Sequence, residues 1–168
     1  CNHLAEAAHI LDVFGVFTLI FLFVLAYQQP PTARKRMIAL IILFVISIAF
    51  WVLYMQMYFA VNLFVQRNID RHIFGVNIPA AFFISFESLF ILLLGPLFAR
   101  MWEVLNKRQI NISTPAKFTA SMFIIAASYL VLILGAHLKS PTMLMSGGWV
   151  ILYYLIFTVS ELLISPIG

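Results

Sequence analysis

The stretch from Met37 to Val65, MIALIILFVISIAFWVLYMQMYFAVNLFV, carries no Asp, Glu, Lys or Arg. It exceeds the roughly 20 apolar residues that a helix needs to cross a hydrocarbon core of about 30 Å. Within a bilayer only helices and closed barrels satisfy their own backbone groups. Barrel strands are about 10 residues long and alternate in polarity. Residues 37–65 do neither, so they read as a membrane-crossing helix. Four further stretches are near or above the crossing length of roughly 18–20 residues: Ile10–Tyr27, interrupted by Asp12, Ile78–Ala99 with Glu87 inside it, Phe118–Ala136, and Met145–Ile167 with Glu161 inside it. The expected fold class is all-α, a polytopic bundle of transmembrane helices.

Composition agrees. Of 168 residues, 64% are hydrophobic and 10% charged, against roughly 25% charged in soluble domains. That balance excludes a disordered chain and an ordinary cytosolic enzyme. A single cysteine, Cys1, excludes an internal disulfide framework. The net charge of +4 does not point to nucleic acid, because the basic residues cluster between the apolar stretches. Successive connections hold 3, 2, 4 and 1 Lys or Arg, among them Arg34-Lys35-Arg36 and the group Arg100, Lys107, Arg108 and Lys117. The richer first and third connections are expected on the cytoplasmic side. Arg100–Lys117 reads as the longest polar loop, with Ser113-Thr114-Pro115 opening the helix after it. Pro96 and Pro166 interrupt the third and fifth stretches and suggest bends. The chain starts at Cys1 and stops at Gly168 directly after an apolar run, so a piece of a larger protein is expected.

The informative residues are two acids inside apolar helices. Glu161 lies 13 residues after Gly148, roughly 20 Å down its helix, and Glu87 lies 8 after Pro79, roughly 12 Å down its own. A carboxyl at such depth costs on the order of 2.5–3.5 kcal/mol on insertion scales, and it faces a bundle interior or a wet cavity. There it binds a cation, pairs with a base, or carries a proton; the bland alternative is a neutral Glu bonded to a neighbouring helix. No Lys or Arg lies deep in any of the stretches, which favours a cationic ligand. Trp51, Tyr54 and Tyr58, spaced i, i+3 and i+7, share a helix face and with Gln56 can line an aromatic, partly polar pocket. The competing reading is an interfacial aromatic belt. His3, His9, His72 and His137 do not pair at i, i+4 within a helix, and no CxxC, HExxH or phosphate loop is present, so no metal or cofactor is expected.

Three segments carry a family resemblance. Phe50-Trp51-Val52-Leu53-Tyr54-Met55-Gln56 resembles the FW…Q pattern of the seventh helix in the proton-dependent oligopeptide transporters, a branch of the major facilitator superfamily. Asn77-Ile78-Pro79-Ala80 through Leu94-Gly95-Pro96-Leu97 is similar to their eighth helix. Trp149 through Tyr153-Tyr154, then Ser160-Glu161-Leu162 and Ser165-Pro166-Ile167-Gly168, resembles their "GEL…SPxGL" tenth helix. The resemblance implies that residues 34–168 are the seventh to tenth helices of a major-facilitator C-terminal half, and residues 1–33 an extra helix and linker between halves. It implies a non-enzymatic, proton-coupled symporter of di- and tripeptides in the bacterial inner membrane, whose cavity needs an N-terminal half outside this chain. Glu161 then holds the peptide amino terminus. Trp51, Tyr54, Gln56, Glu87 and Ser160 join it around the substrate, and Glu161 with Glu87 couples to protons.

Four positions depart from the family pattern. Glu87 stands where Asn is usual, Ser88 replaces a Pro, Ser160 replaces a Gly, and Met55 replaces an acid that pairs with a Lys of the other half. Glu87 is the candidate to supply the acid missing at Met55. The alternatives are a major-facilitator exporter of drugs or amino acids, an integral-membrane enzyme using paired carboxylates, and a structural membrane subunit.

Overall fold

Each apolar stretch folds as helix in the computed structural model, which describes residues 2–73, 76–139 and 144–164. The order is α1 (Asn2–Gln28), α2 (Pro31–Met55), a π-helical turn (Met57–Val61), α3 (Asn62–Asn68), the two-residue strands β1 (His72–Ile73) and β2 (Val76–Asn77), a 3-10 turn (Ala80–Ile84), α4 (Ser85–Lys107), α5 (Thr114–Leu138) and α6 (Gly147–Ile164). Four helical segments are long and apolar enough to cross a membrane: Pro31–Asn68, Ala80–Lys107, Thr114–Leu138 and Gly147–Ile164. Val13–Gln28 is a shorter apolar portion of α1. The fold is thus the all-α transmembrane bundle expected. Gly75, Pro141 and the 165–168 segment with Pro166 lie outside the described residues.

The chain forms two compact units, Cys1–Ala49 and Phe50–Gly168. The division falls inside α2. In the first unit, Pro30 and Pro31 end α1 and start α2. The Arg34 guanidinium locks this elbow, donating to the Tyr27 carbonyl at 2.9 Å and lying 5.6 Å from the Tyr27 ring centre.

The second unit is built around the α5–α6 pair. Ser121, Ile125, Ser128, Leu132 and Gly135 are the buried residues of α5, alternating three and four apart along one stripe. Small residues at every seventh position let the backbones approach, the usual basis of helix association where lipid supplies no hydrophobic drive. Ser121 and Ser160 clasp the pair reciprocally: the Ser121 hydroxyl donates to the Ser160 carbonyl at 2.8 Å, and the Ser160 hydroxyl to the Ser121 carbonyl at 3.0 Å. The outward faces carry exposed Leu89, Leu92, Leu93 and Leu97 on α4, and Phe123, Leu130, Ile133 and Leu134 on α5. Apolar faces of that extent belong in lipid.

At one end the connections are tied together. The Met145 amide donates to the Asn68 carbonyl at 2.8 Å and the Asp70 amide to the Met145 carbonyl at 2.9 Å. The second and fourth connections therefore share a side, as alternating spans require.

Two loop expectations need correction. Residues 100–107 are the last turns of α4, not loop; the local sequence is a good helix former, and Glu103 and Lys107 pair at i, i+4 with 2.6 Å between them. Polarity there marks the emergence of the helix from the membrane, and the true connection is 108–113. The Ser113 side chain makes no cap bond, although α5 does start at Thr114 with Pro in its first turn. α4 runs through Pro96 and ends in a left-handed residue, Gln109 at φ 56°. The Gln109 amide donates to the Asn106 carbonyl and the Ile110 amide to the Leu105 carbonyl, the paired bonds of a Schellman cap. A side chain costs roughly 1 kcal/mol in that conformation. Gln109→Gly is expected to raise stability by about that amount, read as a higher midpoint of thermal unfolding in detergent.

Candidate functional site

Three of the sequence-selected residues converge from three helices. Tyr54 comes from the last turn of α2, Glu87 from the first turn of α4 and Glu161 from the last turn of α6. Tyr54 and Glu161 each lie 14 residues from the tied end of their helical segment, roughly 21 Å down. That common depth is near mid-membrane. The Tyr54 hydroxyl donates to Glu87 Oε1 at 2.7 Å. Glu87 is only 4% exposed and Tyr54 9%, so water does little to screen this bond. Glu161 interacts electrostatically with both Glu87 and Tyr54, yet its Oε2 is buried and accepts no hydrogen bond. Two carboxylates side by side in a low dielectric repel, and a cation between them relieves that repulsion.

Aromatic rings wall the acids. Tyr54 packs on Phe157 of α6 at 5.5 Å between ring centres and on Tyr58 at 6.2 Å. Tyr153 stacks edge-on against both Tyr154 and Tyr129, at 5.0 and 5.4 Å. The Tyr154 hydroxyl is buried without a hydrogen-bond partner, an unusual state for such a group. Trp51 is 50% exposed and meets Tyr54 edge-on at 5.2 Å. Trp51, Tyr54 and Tyr58 thus adjoin along one helix face.

Two candidates do not join. Ser160 is fully buried and points at α5, where its hydroxyl is used by the Ser121 clasp. The Gln56 side chain makes no hydrogen bond to the cluster among the described residues. Its backbone matters instead, because its carbonyl accepts the Val61 amide at 2.9 Å and so forms the π turn. Met55 is exposed. No group of three or more His, Cys, Asp or Glu converges on a metal site among the described residues.

Sequence reasoning missed Tyr129, Phe157 and the π turn. The α6 residues were within reach: Tyr154, Phe157 and Glu161 follow at three and four, one face of a helix. Tyr129 had no such cue, since no acid or second aromatic residue stands three or four positions from it in α5.

Helical spans around a mid-membrane pair of acids and a wall of tyrosines define a multi-pass membrane protein with an internal polar site. The chain belongs to the POT family, whose profile matches residues 2–168. It is 34% identical to "Dipeptide and tripeptide permease A" of Erwinia pyrifoliae over 85% of this chain and 28% of that protein. It is also 34% identical to "Peptide transporter YePEPT" of Yersinia enterocolitica over 90% of this chain and 30% of that one. Among solved structures, the peptide transporter POT in complex with sulfate superposes with a TM-score of 0.81 at 31% identity, over 95% of this chain and 32% of the other. A point mutant of the same transporter in complex with alafosfalin gives 0.81 at 32% identity, over 95% and 33%. The chain thus spans about a third of the relatives it matches, and they are permeases and transporters, not enzymes.

Proposed function

We propose that the protein is a proton-coupled symporter that imports di- and tripeptides across a bacterial inner membrane, with this chain forming one wall of the substrate cavity. The buried, unpartnered Oε2 of Glu161 carries the reading. A peptide ammonium brings the charge and the hydrogen-bond donors that this oxygen lacks, and a charge-assisted bond in a dry site is strong. Glu161 would hold the substrate amino terminus, Tyr54 and Trp51 would shape the adjoining pocket, and further helices would close it. Transport would follow from rocking of two halves around a mid-membrane site. Glu87 would carry the coupling proton, in the role that Met55 cannot fill. Protonation at the Tyr54–Glu87 pair would then change the field at Glu161 and loosen its hold on the ammonium.

The test uses the full-length transporter in proteoliposomes loaded with neutral buffer. Labelled dialanine is expected to accumulate under an inward proton gradient and to stop accumulating when a protonophore collapses it. Unlabelled tripeptide should compete, and free alanine should not. Competition by a lipophilic cation alone would favour the drug-exporter reading, which the aromatic face of Trp51, Tyr54 and Tyr58 also suits. For Glu87→Asn, the rise in uptake on acidifying the outside is expected to shrink while peptide binding at fixed pH persists. A pH profile identical to wild type would remove Glu87 from the coupling.

A further inference from the structure

The break in α2 directly after Tyr54 has a partner in another helix. α2 ends at Met55, and the following π turn contains one more residue than regular helix needs. The buried positions show why it is there: Phe50, Tyr54, Met57, Val61, Val65 and Ile69 all face inward. They are spaced four, three, four, four and four apart, wider than the 3.6 residues of a regular turn. Without the extra residue the far end of the helix would rotate away from the core.

In a helix that continued regularly, the Leu53 carbonyl would accept only the amide of Met57. Here it accepts the Gln56 amide at 3.2 Å and, at 2.7 Å, the hydroxyl of Tyr129 from α5. Tyr129 is itself held edge-on against Tyr153. We propose that Tyr129 is a positioning residue: by donating to the Leu53 carbonyl it holds the break in α2 and so sets the Tyr54 hydroxyl, one residue on, against Glu87. Leu53 and Tyr54 are adjacent, so a shift of this peptide unit moves the ring that bonds the acid.

Tyr54 and Glu87 matter for uptake only if the transport reading above is right, so the test on the full-length transporter has two arms. Tyr129→Phe removes only the hydroxyl and keeps the ring, with its edge-on contact to Tyr153. The first arm labels the Leu53 carbonyl with ¹³C and ¹⁸O and follows its infrared band. Loss of one of two hydrogen bonds is expected to move the band to higher frequency in Tyr129→Phe, and an unmoved band would overturn the proposal whatever the protein transports. The second arm measures dialanine uptake. Tyr129→Phe is expected to raise KM about threefold to tenfold, the weight of one hydrogen bond, with the amount of folded protein unchanged. Combined with Tyr54→Phe it should add little further, since both changes disable one arrangement. A KM equal to wild type, or additive effects in the double variant, would overturn the positioning role. If the band moves and wild type takes up no dialanine, the transport reading fails and the backbone assignment stands.

Discussion

Glu161→Gln in the full-length transporter is expected to weaken peptide binding by about two orders of magnitude, with the protein still folded and inserted. The amide has nearly the shape of the carboxyl and can still accept a hydrogen bond, but it cannot neutralise an ammonium. Removing one partner of a buried charged pair costs roughly 2–5 kcal/mol, and each 1.4 kcal/mol is about tenfold in affinity. Folding should survive because Glu161 Oε2 has no hydrogen-bond partner within the described structure and the amide oxygen can still accept from Tyr54. The measurement is the Kd for dialanine in detergent at fixed pH, by calorimetry. An unaltered Kd would mean that the substrate ammonium sits elsewhere, and the unpartnered oxygen would need another cation to explain it.

The second large effect is structural. Gly135→Ala is expected to lower stability by about 1–3 kcal/mol, the usual cost of overpacking a full core. A Cβ on Gly135 would lie 2.7 Å from Cγ of Trp149 and 2.8 Å from Sδ of Met145. Trp149 sits in the first turn of α6, and its Cγ, where the rigid ring joins Cβ, cannot swing aside as the end of a flexible side chain would. Met145 forms the backbone tie to Asn68 and Asp70, so the clash loosens the strap joining α3 to α6 as well. Ser128→Ala provides the contrast on the same stripe of α5. It removes one hydroxyl bonded to the Ile125 carbonyl in its own helix and should cost far less. Thermal unfolding in detergent separates the two, and equal midpoints would show that the close approach of α5 and α6 at Gly135 carries no weight.

Much of the candidate site was legible because acids are conspicuous in an apolar background. Glu87 and Glu161 stood out by depth alone, and the spacing of Trp51, Tyr54 and Tyr58 placed them on one face. Ser160 bonds Ser121 while its neighbour Glu161 faces the acid cluster; adjacent residues on a helix differ by about 100°, and only the position of α5 says which of the two is inside the helix pair. The 100–107 segment was read as loop because charge marks the end of the membrane, which is not the end of a helix.

The apolar runs, their lengths and the basic residues between them were enough to establish a multi-pass helical bundle, since oil leaves a backbone no alternative. That Tyr54 bonds Glu87, that Ser121 and Ser160 clasp, and that Tyr129 reaches the Leu53 carbonyl were decided only by assembly. These contacts join residues 33, 39 and 76 positions apart. Each depends on how one helix is turned against another, a rotation set by the packing of small side chains and by a single extra residue in a π turn, for which periodicity along one helix holds no record.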